Sequence, residues 1–225
     1  MITDQDFIEA TRKFDVLEKR GSFYNMAVNL MNSNFEIEAY FLILATWNFA
    51  VFRYAVKTFD IHAFRDKIRE LEPYFVQLDG KEFRNINFKH YEDSITRIFE
   101  DLSSIDGVKF TGASKLMHLR NRDVFVMWDG YIKGNKSNKY YNKLDIVRSG
   151  RWEVVEYGND GQSYLRFLIH MQEKFRNIHF QGSNKTFAKA IDEFNYVNIT
   201  LPIQDIEKKE KDKGKKEKKN FDTST

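Results

Sequence analysis

Only two prolines, Pro73 and Pro202, occur in 225 residues. Proline removes a backbone donor and breaks helices and central strands. A chain nearly free of it suits long helices better than a fold built on many tight turns. The side chains supply the material for one core: 21 phenylalanines, 11 tyrosines and three tryptophans. The sequence therefore predicts an all-α domain over residues 1–202, a bundle of about eight to ten helices. A disordered, Lys/Glu-rich tail is expected over residues 203–225.

The helices can be placed from apolar periodicity and capping residues. Thr3 with Asp6 predicts an N-terminus, and Phe7, Ile8, Thr11, Phe14 and Leu17 then recur at helical spacing to about Lys19. Gly21 and Ser22 break that helix. Residues 23–31 and 36–56 read as the second and third, the third apolar nearly all round and hence central. Asp60 caps a fourth through Leu71, and Pro73 fits the first turn of a short successor. Tyr91, Ile95, Ile98, Phe99 and Leu102 mark a helix opening at Asn87 or Phe88. A short helix over residues 112–120 and an apolar run from Asp123 follow. Residues 135–161 are polar and punctuated by glycine, with "RWEVVEY" a candidate strand or extended loop. Residues 162–175 are strongly amphipathic, and residues 185–197 make the last packed helix.

Several function classes fall away at this stage. The chain has no cysteine, which excludes disulfides, thiolate zinc sites and iron–sulfur clusters and suits a cytoplasmic location. The five histidines are scattered without ligand spacing, so neither metal nor cofactor is expected. The N-terminus is charged throughout, unlike a signal peptide. The most apolar stretch, residues 39–56, carries Asn48 and Arg53 and reads as a buried helix, not a membrane span. The formal charge of +3 owes much to the tail, where eight lysines face six acidic residues. The body keeps only +1, so a basic surface must come from arrangement.

The segment "GVKFTGASKLMHLRNRDVFVMWDG", residues 107–130, is the least ordinary in the chain. Gly107 and Gly112 frame a short linker between two helices, and Val108, Lys109 and Ala113 lie at or beside it. Unpaired amides at the start of the second helix, with its positive dipole end, can hold an anion. Glycine-flanked turns also join helices with no ligand at all. On the second helix Lys115 and His118 are neighbours at i, i+3 and can face one ligand, or they can be a surface lysine beside a core histidine. Asp129 stands within an apolar neighbourhood of Trp128, Tyr131 and Ile132. It reads as a helix N-cap, as a functional acid with a raised pKa, or as both.

The order of helix, "GVKFTG", "ASKLMHL", apolar segment and "WDGYI" over residues 88–132 resembles the helix-hairpin-helix DNA glycosylases. In that superfamily a hairpin, usually Gly-hydrophobic-Gly, binds a DNA phosphate through main-chain amides. A lysine often stands early in the following helix, and an aspartate lies downstream at the head of the next. The resemblance assigns phosphate binding to Gly107, Val108, Lys109, Gly112 and Ala113. It makes Asp129 the catalytic acid and Lys115 the candidate nucleophile, with His118, Trp128 and Tyr131 around the base. With Gly112 as second hairpin glycine, Ser114 takes the usual lysine position and Lys115 falls one residue late. That offset turns a helical side chain by about 100°.

The implied partner is DNA, and the implied chemistry is hydrolysis of an N-glycosidic bond in base-excision repair, with strand cleavage if Lys115 attacks the sugar. The alternative is a non-catalytic helix-hairpin-helix module that contacts nucleic acid or protein.

Overall fold

A computed structural model describes residues 1–19, 21–134, 138–180 and 185–222, with side chains of Asn138 and residues 214–222 outside the description. Part of the expected polar loop, residues 135–137, and the end of the tail, residues 223–225, also lie outside it. The described residues form helices and irregular connections, with no strand among them. "RWEVVEY" is accordingly an extended loop.

The first helix, α1 (Asp4–Leu17), starts on a complete capping box in which Thr3 and Asp6 satisfy each other's amides. Helix α2 (Gly21–Asn32) begins at the glycine expected to precede it. The apolar stretch expected as one central helix is two, α3 (Glu36–Trp47) and α4 (Phe49–Ala55). The break falls at buried Asn48, whose amide donates to the carbonyls of Gly107 and Val108, each at 3.0 Å. A long-range clip outcompetes helix continuity there.

The opposite error occurs at Pro73. It lies inside α5 (Ile61–Val76), with Asp60 capping the start. An internal proline costs about 3 kcal/mol. The stripe Phe64, Ile68, Leu71, Phe75 is buried on both sides of it, and that burial holds the helix together.

A turn of 3₁₀ helix (Phe88–Tyr91) leads into α6 (Glu92–Ser104). Helix α7 (Lys109–Arg120) follows after a tight turn, so residues 109–111 of the expected linker are helical. Short helices α8 (Asn138–Tyr141) and α9 (Asp145–Arg148) precede α10 (Gly161–Phe175), capped by Asp160. Helix α6 packs against α5, α7 and α10. In the middle of these helices the ring of Trp128 meets Phe99, Tyr164 and Phe167.

The C-terminal third departs most from expectation. Helix α11 (Phe187–Asn195) passes through one π turn (Tyr196–Thr200) into α12 (Leu201–Asp222). The widened turn directly precedes Pro202, whose ring would crowd the carbonyl four residues back in a regular helix. The supposed tail is thus helical through Asp222. Its first turns are anchored by buried Ile203, by a Tyr131 hydroxyl donating to Glu207 (3.0 Å), and by a Tyr140 hydroxyl donating to Glu210 (2.8 Å). None of the described helices is long and apolar enough to cross a membrane.

Candidate active site

The turn between α6 and α7 is tighter than its two glycines imply. Gly107 has φ +84° and Lys109 has φ +54°, so Gly-Val-Lys makes the reversal with both ends in the left-handed region. Gly112 is not part of it. It lies within α7, its amide bonded to the Val108 carbonyl (3.1 Å), and a Cβ there would meet Asn48 and Leu44 side chains. Ala113 is fully buried beside it. Neither can present its amide to a phosphate. The start of α7 has no side-chain cap, but the amides of Val108 and Lys109 both donate to the Ile105 carbonyl, at 3.1 and 3.3 Å. Lys109 brings an ammonium to this end but shares it with Asp106 at 3.3 Å.

Thr111 and Lys115, one turn apart on α7, both line a cleft of about 460 Å³. Asp129 lines the same cleft. Trp47 and Asn48 from the α3–α4 junction, Asp192 from α11 and Tyr196 from the π turn complete its floor and walls. Lys115 and Asp129, singled out on sequence grounds, therefore open into one space.

Asp129 is held from three directions. One oxygen accepts from the amides of Tyr131 (2.8 Å) and Ile132 (2.9 Å), and the other from the Thr200 hydroxyl (2.8 Å). The capping alternative is thus realised, on a single turn instead of a helix, and the carboxylate still fronts the cleft. Thr200 reaches it because the π turn re-phases the last helix. Lys115 is 8% exposed and donates to the Trp47 carbonyl.

The three expected base contacts separate. Tyr131 lines the cleft and ties it to α12. Trp128 contributes to the cleft wall, but its ring is 1% exposed, and its indole donates to the Phe110 carbonyl at 3.3 Å. His118 is wholly buried away from the cleft. Its Nδ1 sits 2.5 Å from the Phe125 carbonyl and its Nε2 is 2.7 Å from the Tyr24 hydroxyl. A carbonyl accepts only, so Nδ1 carries the proton and Nε2 accepts from Tyr24. Burial pushes the His118 pKa down to about 3. A histidine with a depressed folded pKa contributes stability above its unfolded pKa near 6.5, and loses it as pH falls towards the folded value. NMR titration should show His118 neutral at pH 5, while stability against urea declines from pH 6.5 downwards. Protonation of His118 near pH 6.5 would contradict this placement.

Sequence reasoning missed a buried charge cluster that reaches the cleft through Asp192. Lys189, 3% exposed, donates to Asp192 at 2.8 Å and lies 3.3 Å from Glu193, whose other oxygen takes Lys185 at 2.7 Å. The Lys189 ammonium also sits 4.4–5.0 Å from the ring centroids of Phe14, Tyr24 and Trp47. Burial raises the pKa of Asp192, and Lys189 and Lys115 oppose the rise. Burial likewise raises that of Glu193. For Lys189 burial pulls downwards, but the two carboxylates outweigh it and hold the ammonium above the usual lysine range. One signal existed in "FAKAIDEF": a lysine and two acids at i, i+3 and i+4 within an otherwise apolar helix.

No group of three or more metal-ligating side chains occurs among the described residues. Comparison of the chain with protein-family models, curated proteins and solved structures gives no match.

Proposed function

We propose that this chain is a DNA-binding protein that releases a base by hydrolysing its N-glycosidic bond, in the manner of the helix-hairpin-helix glycosylases. The observation that carries the reading is the shared cleft. A carboxylate fixed by three donors, Asp129, shares with Lys115 a space lined by aromatic side chains, and α7 runs from that space to the uncapped turn at Gly107–Lys109.

The turn itself supports the resemblance better than the glycine spacing did. Gly107-Val108-Lys109 has the compactness of a Gly-hydrophobic-Gly hairpin, with Lys109 in the left-handed conformation that a second glycine would take. The amides of Val108 and Lys109 donate to the Ile105 carbonyl within the turn, so a phosphate contact at this turn falls to the amide of Gly107. Counted from that hairpin, the usual lysine position falls on Thr111, and Lys115 lies one turn deeper.

This register favours one chemistry over the other. Threonine cannot form a Schiff base, and the Lys115 ammonium is given to the Trp47 carbonyl. Water is therefore the nucleophile. Asp129 takes its proton and stabilises the oxocarbenium-like sugar as the base departs. Tyr131, Tyr196 and Trp47 offer faces for a base drawn out of the stack.

The test is base release from duplexes carrying a panel of damaged or mismatched bases, with borohydride added in parallel. Release without covalent trapping is expected, and Asp129→Asn should slow it by about 10²–10⁴-fold. Trapping abolished by Lys115→Gln would establish amine attack in place of water. An absence of release across the panel would remove the enzymatic reading. The near-neutral body and the structural use of both Asp129 oxygens favour the second reading, a non-catalytic module. That reading predicts salt-dependent DNA binding, unchanged in Asp129→Asn, with no base released.

A further inference from the structure

Asp192 has one oxygen that nothing in the fold uses. Oδ2 accepts from Lys189 at 2.8 Å, whereas Oδ1 has no hydrogen-bond partner among the described residues. The residue is 7% exposed and lines the cleft. Asn195 Oδ1 is the sealed side-chain atom left unpartnered among the described residues, so the Asp192 oxygen is not sealed. The space that Asp192 lines is the cleft. An acceptor oxygen on a carboxylate fixed by an ion pair through its other oxygen can take a donor from a ligand there.

The surroundings narrow what that donor belongs to. Trp47 and Tyr196 give the cleft aromatic walls suited to a planar ring. Lys115 and Asp129, which line the same cleft, are both near enough for their charges to act on the Asp192 carboxylate, and Asp129 is the one whose oxygens are taken up by Tyr131, Ile132 and Thr200. The floor thus sets an acceptor beside a positive charge. A ring carrying N–H next to C=O matches both: the N–H donates to Asp192 and the carbonyl oxygen lies in the field of Lys115. A ring presenting a bare nitrogen at that edge sets lone pair against lone pair and leaves the carboxylate unpaired.

We propose that Asp192 reads the edge of the base held in the cleft and selects lactam-type bases, those with a ring N–H beside a carbonyl, over bases with an unprotonated ring nitrogen there. This deepens the glycosylase reading and rests on the cleft being the place where an extruded base is held. Asp192 is a specificity-determining residue in this scheme, and the bond-breaking role remains with Asp129.

Free bases test it without DNA. Binding of hypoxanthine, 1-methylhypoxanthine, adenine, 1-methyluracil, 1,3-dimethyluracil and 1-methylcytosine to the full chain is measured by NMR titration, the pyrimidines being capped at N1 so that only the edge free in DNA is compared. Hypoxanthine and 1-methyluracil are expected to bind about 10- to 100-fold tighter than 1-methylhypoxanthine and 1,3-dimethyluracil, and than adenine or 1-methylcytosine, the span of one hydrogen bond to a charged group. Asp192→Asn should erase that preference. The variant also disturbs the Lys189 pair, so its fold is checked by thermal melting. The methylated bases make the same test on the unaltered protein.

Equal binding of hypoxanthine and 1-methylhypoxanthine, or no binding of any base, overturns the assignment. The two readings fail separately. Base release from duplex DNA with no preference among free bases leaves the glycosylase reading standing and removes Asp192's role. A lactam preference with no release from DNA does the reverse.

Discussion

Lys189→Met unfolds at markedly lower urea than the parent chain, by an amount equivalent to about 3–5 kcal/mol, the range for removing one partner of a buried ion pair. For a chain of this size the melting temperature falls by roughly 6–20 °C. Methionine keeps most of the volume between Phe14, Tyr24 and Trp47, so packing is not the main loss. The loss is electrostatic. Glu193 retains Lys185 at 2.7 Å, but Asp192 is left buried with no cation bonded to it. The deficit depends on pH with a definite sign. Asp192 and Glu193 already have raised folded pKa values, and losing Lys189 raises that of Asp192 further. A carboxyl whose folded pKa is raised favours folding below its unfolded pKa and ceases to do so as pH climbs through the folded one. The gap between variant and parent should therefore narrow from pH 7 to pH 4. A second substitution, Lys189→Met with Asp192→Leu, should recover much of the loss, since a buried pair replaced by apolar side chains is often neutral. A deficit that is constant with pH would mean that packing, not charge, is what Lys189 supplies.

That buried charge cluster shows where the sequence stops being legible. Local signals were read well. The Thr3–Asp6 capping box, the Asp60 cap and the stripe through α10 depend on residues three or four apart, and they appear where the pattern places them. Misreadings arise where a distant contact outbids a local preference. Asn48 breaks an apolar helix because the carbonyls of Gly107 and Val108 need its amide, 59 and 60 residues away. Pro73 fails to break one because Phe75 has a buried place to fill. The Lys/Glu-rich end has no apolar period, yet Tyr131 and Tyr140 fasten its first turns.

The site was legible in the same proportion. Lys115 and Asp129 could be named from one segment because they lie 14 residues apart in the chain. Asp192 comes from another helix, and its importance depends on which oxygen Lys189 leaves open. The left-handed conformation of Lys109 was hidden for a different reason. Lysine carries no signature for positive φ, and the neighbouring glycine at 112 drew the expected turn three residues too far.

Gly107→Ala isolates the contact on which the turn between α6 and α7 depends. A residue with a Cβ at φ +84° costs about 1–2 kcal/mol in backbone strain alone. The new Cβ would also stand 2.7 Å from the Cβ of Ala55 and 3.2 Å from the Phe52 ring. Both belong to α4, and an alanine Cβ has no flexible end to swing away. Overpacking of this kind adds about 1–3 kcal/mol, for a total of about 2–5 kcal/mol. Gly80→Ala is the internal control. Gly80 has φ +70° with nothing within 4 Å of its would-be Cβ, so it should lose only the strain. The difference between the two urea midpoints then measures how hard α4 presses on the turn. Equal midpoints would show that α4 yields freely and that the turn is not pinned. If it is pinned, α4 must move outwards to admit the methyl group, and α4 carries Arg53 and Phe49 at the mouth of the cleft. Under the proposed function, Gly107→Ala should therefore weaken DNA binding more than its distance from Asp129 suggests, whereas Gly80→Ala should leave binding unchanged. Electrophoretic mobility at low salt distinguishes them. The same methyl group thus probes two roles of one glycine: the reversal between α6 and α7, and the close approach that keeps α4 in place beside the cleft.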